Sequence, residues 1–308
     1  MDQNRTFAVD NPHRAPESGL TAVAARLART RSFAAICVAL LSAAATTTAS
    51  SSTLVVCAPG YPGSTAEAQP AMDDLASATA AAAGLAPDDL TAVYFETEEE
   101  GLQRLAQDDA VLALVTLPFF LEHRQELGLT PRAQAVPSER AACEPWSLVA
   151  GAEQVETAAD LEGVELVSLA GHSPRFLRGP VLGEWGELPD SVTITFSGAV
   201  LSALRKASRG EAVALVLDAH QTASLDRLPF ANKLEVVHSS PPLPVSLLCS
   251  VGQRLSEKRT TELVDAFLAL GGAPEATEAL AGVRIDSFVA VDRAPLEHAV
   301  ELFEAVTE

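Results

Sequence analysis

Between Val164 and Arg178 the chain reads VELVSLAGHSPRFLR, an apolar run that stops at Ala-Gly-His-Ser-Pro. Ser173 followed by Pro174 is a strong helix-start signal: the hydroxyl can cap free amides, and proline fits the first helical position. A strand feeding a capped helix start aims unpaired N–H groups and the positive end of the helix dipole at one spot. That chemistry holds an anion. The pattern recurs at Tyr61 to Thr65, at Thr116 to Pro118 and, more weakly, from Thr195 to Ala199. The candidate ligand-binding residues are therefore Tyr61, Ser64, Thr65, Thr116, His172, Ser173 and Ser197. Asp218, which ends the run Val213 to Leu217, reads by itself as a turn or cap residue.

Bond-making chemistry is poorly served by the same residues. Gly171-His172-Ser173-Pro174-Arg175 has the outline of a nucleophile elbow, but arginine stands where the second glycine belongs. Pro174 also removes an N–H group that an oxyanion hole would need. The six histidines show no metal-ligand spacing, and no glycine-rich phosphate loop of the nucleotide-binding kinds occurs. The reading is a binding site with no metal and no cofactor.

The elements that must position these residues sit in an acidic chain of 308 residues. With 41 acidic against 21 basic side chains, the formal net charge is −20. Such a surface repels nucleic acid and anionic membranes. The N-terminal region differs in kind: Arg26, Arg29 and Arg31 precede the apolar run Phe33 to Leu41, and small residues follow up to Thr47-Thr48-Ala49. This is the layout of a secretory signal, with residues 1–49 removed near Ala49 or kept as a tether. Cys37 falls inside the apolar run, where a lipoprotein signal would want a small residue. Cys57, Cys143 and Cys249 lie in or beside strand-like runs, where a buried free thiol is the commoner state.

From Leu54 onward, short apolar runs alternate with helical patterns. The capping boxes Ser64-Thr65-Ala66-Glu67 and Thr97-Glu98-Glu99-Glu100 open the first two helices. Strands are expected at 54–58, 91–95 and 111–115, then again at 146–150, 165–169, 192–196, 213–217 and 234–237. Two such sets, linked near Ala142 to Trp146 and Leu243 to Ser246, give an α/β fold of two doubly wound lobes joined by two extended crossings. Residues 50–142 and 245–308 would form lobe 1, and residues 143–244 lobe 2. Helices are expected at Glu257 to Leu270, Pro274 to Ala281 and Pro295 to Val306.

Several segments together resemble the solute-binding proteins of phosphate, phosphite and phosphonate ABC importers. They are Leu54-Val55-Val56, Asp109 to Pro118, Asp160-Leu161-Glu162-Gly163, Ser168 to Arg175, Glu211 to Asp218 and Gly282 to Asp292. The resemblance implies a type 2 periplasmic-binding fold, a small oxyanion between the lobes, a membrane permease as partner, a monomer and no enzymatic turnover. It implies that Ser173 touches the anion and that Asp218 can hold the amino group of an aminophosphonate. The family's loop offers several consecutive hydroxyls, whereas Ala170-Gly171-His172-Ser173 leaves one hydroxyl and one imidazole. A ligand-sensing module, or an enzyme on the same scaffold, remains open.

Overall fold

The computed structural model describes residues 52–61 and 63–306. The predicted signal region and its cleavage near Ala49 lie outside the described residues. Strands run, in chain order, β1 Ser52–Cys57, β2 Leu90–Phe95, β3 Ala110–Thr116, β4 Leu129–Pro137, β5 Cys143–Glu144, β6 Ser147–Gly151 and β7 Glu165–Ser168. They continue with β8 Thr193–Phe196, β9 Val213–Leu217, β10 Leu234–Ser239, β11 Leu243–Pro244, β12 Ser246–Val251 and β13 Ile285–Val289. The helices are α1 Thr65–Ala82, α2 Glu98–Leu105, α3 Leu117–His123, α4 Pro174–Phe176, α5 Val200–Ala207, α6 Ala219–Thr222, α7 Glu257–Leu270, α8 Thr277–Gly282 and α9 Arg293–Ala305.

The strands make two larger sheets and one small one. Six pair in the order β13-β4-β12-β3-β1-β2 and five in the order β10-β6-β9-β7-β8. β1 and β3 are buried along their whole length, as strands covered on both faces must be, and they pair in parallel. β12 joins this sheet antiparallel between β3 and β4. In the second sheet β7 and β9 form the parallel centre, and β6 and β10 add antiparallel strands on one side.

β5 and β11, the two crossings, lie side by side as a two-stranded ribbon, with Leu243 opposite Glu144 and Pro244 opposite Cys143. A backbone bond from Val245 to Ala142 (3.0 Å) and one from Trp146 to the Ser240 hydroxyl (3.0 Å) tie the ribbon at both ends.

Three features depart from the sequence reading. A nine-residue strand that is not among the expected ones, β4, runs through Arg132 to Val136, and β13 pairs with it. The helix expected at Ser173 is one turn, α4, which widens at once into π-type helix over Leu177–Val181, with Pro180 inside it. Finally α9, counted with the first lobe by sequence, packs on that π-type turn: a Cβ added at Gly179 would sit 2.4 Å from the carbonyl oxygen of Leu302. Arg175 stacks over the Phe303 ring at 4.3 Å, and Arg124 of the first lobe pairs with Glu304. A single cluster of buried apolar side chains runs through the same region, from Phe119 and Phe120 to Phe176, Leu177, Leu296 and Phe303.

Candidate functional site

Where the carboxyl ends of the two sheets meet the crossing ribbon, a small cavity forms. Tyr61, Thr116 and Pro118 line it from the first sheet's side, Leu169, His172 and Asp218 from the second, and Arg140, Glu144, Pro145 and Trp146 from the crossing. Its free space is about 20 Å³, room for one water molecule.

Each wall is set by local sequence. β3 ends at Thr116, and Pro118 occupies the first turn of α3, where its missing N–H costs nothing. The Leu117 amide points to the carbonyl of Val245 at 3.4 Å, so with Pro118 beside it α3 has fewer free amides than an ordinary helix start. Thr116 is buried and its hydroxyl has no partner. On the opposite side, His172 is held by a bond between Nδ1 and the Leu169 carbonyl (3.1 Å), and its ring meets Phe196 edge-on. Its Nε2 is buried without a partner. Burial pulls the His172 imidazole below its ordinary value, against the opposing pull of the Glu98 carboxylate.

Asp218 serves two roles at once. Oδ1 accepts the amide of Gln221 (2.7 Å), capping α6 in a capping box, while Oδ2 accepts the Tyr61 hydroxyl at 3.4 Å. The carboxylate is 6 % exposed. Burial, and then the charge of Asp218, push the Tyr61 hydroxyl well above its usual range, so the phenol stays a donor.

Of the sequence candidates, Tyr61, Thr116, His172 and Asp218 come together at the cavity, and the others do not. Ser64 and Thr65 start α1, but the Ser64 hydroxyl is spent on Glu67 in the expected capping box. Ser197 accepts the amide of Ala199 at 3.1 Å and does not line the cavity. Ser173 makes no cap bond. Fully buried, it donates instead to Glu122 of α3 at 2.8 Å, a contact between the two sheets' layers. The stretch that carried the sequence argument thus supplies an imidazole and apolar wall, not the anion-holding hydroxyl.

What the sequence reading missed is the crossing. The Arg140 guanidinium donates Nε to Glu144 Oε1 at 3.0 Å and a terminal nitrogen to Glu144 Oε2, a two-pronged pair. Burial works against the Arg140 charge, but the Glu144 bond and the nearby Asp218 carboxylate outweigh it and hold the guanidinium protonated. The one available signal was the i, i+4 spacing of opposite charges just before a strand.

The fold has known counterparts. The family described as "ABC transporter, phosphonate, periplasmic substrate-binding protein" matches residues 62–296. The chain belongs to this family. Its members are exported substrate-binding proteins that serve a membrane permease, and among the described residues no helix is long and apolar enough to cross a membrane. The fold is that of the type 2 periplasmic binding proteins. XAC2383 from Xanthomonas citri, solved bound to chloride ion, superposes with a TM-score of 0.65 at 14% identity, over 82% of this chain and 98% of that one. The binding-protein component of an ABC phosphonate transporter from Pseudomonas aeruginosa gives 0.57 at 16% identity, over 82% and 87%. PhnD1 from Prochlorococcus marinus, in complex with methylphosphonate, gives 0.56 at 14% identity, over 82% and 97%. A search of curated protein sequences found no match. As a phosphonate-family substrate-binding protein, the chain has its cavity where two lobes and two crossings converge.

Proposed function

We propose that the protein captures a small oxyanion of the phosphonate class between two lobes and hands it to the permease without chemical change. The lobes would be residues 52–142 with 245–289, and 147–239, with the ribbon of β5 and β11 as hinge and α9 lying across from one to the other. The observation that carries the reading is a pair of orphaned atoms. Thr116 Oγ1 and His172 Nε2 are buried without partners, one from each side of the cavity. An unsatisfied buried polar group costs about 1–3 kcal/mol, which a ligand bonding both would recover. With Nδ1 donating to Leu169, Nε2 is an acceptor that suits a hydroxyl or a monoprotonated phosphonate; as imidazolium it would donate. Tyr61 and Asp218 complete the wall, and Asp218 favours a ligand that also carries an ammonium group. The chain acts as a monomer with respect to ligand.

A cavity with room for one water must widen before a phosphonate enters, so binding proceeds through opening and reclosure of the ribbon. Thermal-shift measurement with phosphate, phosphite, methylphosphonate, 2-aminoethylphosphonate, sulfate and acetate tests the reading. A ligand at 100 times its Kd should add about 2.7 kcal/mol of stability. The phosphorus oxyanions are expected to stabilise; stabilisation by acetate alone, or by none of the six, would overturn it.

A further inference from the structure

A guanidinium in the wall of an anion site binds two oxygens at once, and among the described residues Arg140 is the only lysine or arginine that lines the cavity. Its guanidinium is not free: Nε and a terminal nitrogen both engage the Glu144 carboxylate, in the geometry that any anion with two coplanar oxygens would adopt. Among the other side-chain and helix-start donors around the cavity, the Thr116 hydroxyl is free and several are engaged. Leu117 N–H is turned to Val245, Pro118 has none, Ser173 is committed to Glu122, and the Tyr61 hydroxyl points at Asp218. With Glu144 and Asp218 ionised, the lining carries one positive and two negative charges, which repels an oxyanion as long as Glu144 stays in place.

We propose that Arg140 is the anion receptor of this cavity and that Glu144 is a built-in competitor, occupying the guanidinium fork until a ligand oxyanion displaces it. The inference rests on the oxyanion reading above and deepens it. Glu144 is suited to the part because it sits on β5, one of the two strands that must bend when the lobes part, opposite Leu243 of β11. The turn that carries Arg140 is anchored by the Glu139 amide, which donates to Asp286 at 2.9 Å, and Glu144 reaches back to that turn by accepting the Ala141 amide at 3.4 Å, a bond that displacement also releases. The exchange also explains how a cavity of about 20 Å³ admits a larger anion, since the departing carboxylate leaves its volume to the ligand. Two consequences follow for specificity. Anions with two oxygens in one plane gain over spherical chloride, which cannot fill both prongs. A ligand with an ammonium group gains again, because it gives the displaced Glu144 a partner.

Isothermal titration of wild type, Glu144→Gln, Arg140→Gln and Arg140→Lys with methylphosphonate, inorganic phosphate and 2-aminoethylphosphonate tests the exchange, with the melting temperature of each ligand-free variant as a check on folding. Glu144→Gln should bind methylphosphonate and phosphate about 10-fold more tightly, and 2-aminoethylphosphonate with a smaller gain. Arg140→Gln should bind all three roughly 10- to 150-fold more weakly, the loss of a charge-assisted hydrogen-bond pair. Arg140→Lys, which keeps charge and loses the fork, should fall between and still serves if Arg140→Gln does not fold. Wild-type binding that none of the variants alters overturns the exchange and leaves the oxyanion reading standing. No binding by any protein overturns both. Binding by Glu144→Gln alone, with none by wild type, means that these anions do not displace Glu144 and overturns the exchange.

Discussion

The segment after β7 and the turn before β5 were opposites in sequence and are opposites in structure, but the other way round. Leu169 to Ser173 leads into a strong helix-start signal, yet it gives the cavity only Leu169, Ala170 and His172. Arg140 to Trp146 has no comparable motif and supplies the guanidinium, a carboxylate and an indole. The lesson is physical. A cap motif reports where a helix can begin, not what its hydroxyl will find. At Ser173 the approaching α3 presents Glu122, and the hydroxyl donates to that carboxylate instead of accepting a helix amide.

That contrast can be broken from either side. The largest effect is expected at Gly171, where an added Cβ would lie 2.6 Å from the Thr195 carbonyl oxygen and the Phe196 amide nitrogen, both backbone. Gly171→Ala should cost roughly 1–3 kcal/mol and lower the melting temperature by several degrees. An unchanged melting temperature would mean that the segment after β7 is looser than described. Next comes Ser173→Ala, which removes a buried bond to a carboxylate and should destabilise by about 1.5 kcal/mol while changing phosphonate affinity less than about 3-fold. A large affinity loss with little loss of stability would restore Ser173 as an anion contact.

Acid titration reads the same seam. Glu98, His123 and Glu122 from the first side face His172 from the second, and His123 bonds Glu98. Since burial lowers the folded pKa of His172 below 6.5, the unfolded chain takes up a proton first. Stability should be full above pH 6.5 and decline as pH falls below it. Glu98, held below 4.5 chiefly by the His123 bond, adds a second loss as pH falls below that value. Denaturant unfolding of wild type and His172→Asn across pH 4 to 8 checks this, and the variant should lose the upper part of the decline. The smallest effect is expected in the turn before β5. Glu139 has φ of 61°, a conformation that favours glycine, and its side chain is exposed. Glu139→Gly should be stabilising by up to about 1 kcal/mol, keeping the amide bond to Asp286.

Much of the fold was legible because it depends on local rules. Continuous apolar runs marked β1 and β3, and Ser64 and Thr97 marked helix starts whose caps are present. β13 was not read from periodicity because Ile285 to Val289 is a half-covered edge strand of five residues, defined by pairing with β4. The placement of α9 was illegible for a similar reason: its apolar stripe says that one face is buried but not against which lobe, and Gly179 accepts it only in three dimensions. Half of the candidate site was legible as strand ends. Asp218 was visible as a cap or a contact and is both, while Arg140 and Glu144 acquire meaning only when the crossing ribbon folds over the cavity.

The central claim is that ligand binds beside the crossing, and Trp146 reports on that place directly. It lines the cavity edge-on to Phe176 at 5.3 Å, whereas the second tryptophan of the chain, Trp185, stacks on His238 at 5.9 Å. In a Trp185→Phe variant, titration with methylphosphonate or 2-aminoethylphosphonate should change Trp146 emission saturably, with the Kd found by calorimetry. Calorimetric binding that leaves Trp146 emission unmoved would place the ligand elsewhere and contradict the account.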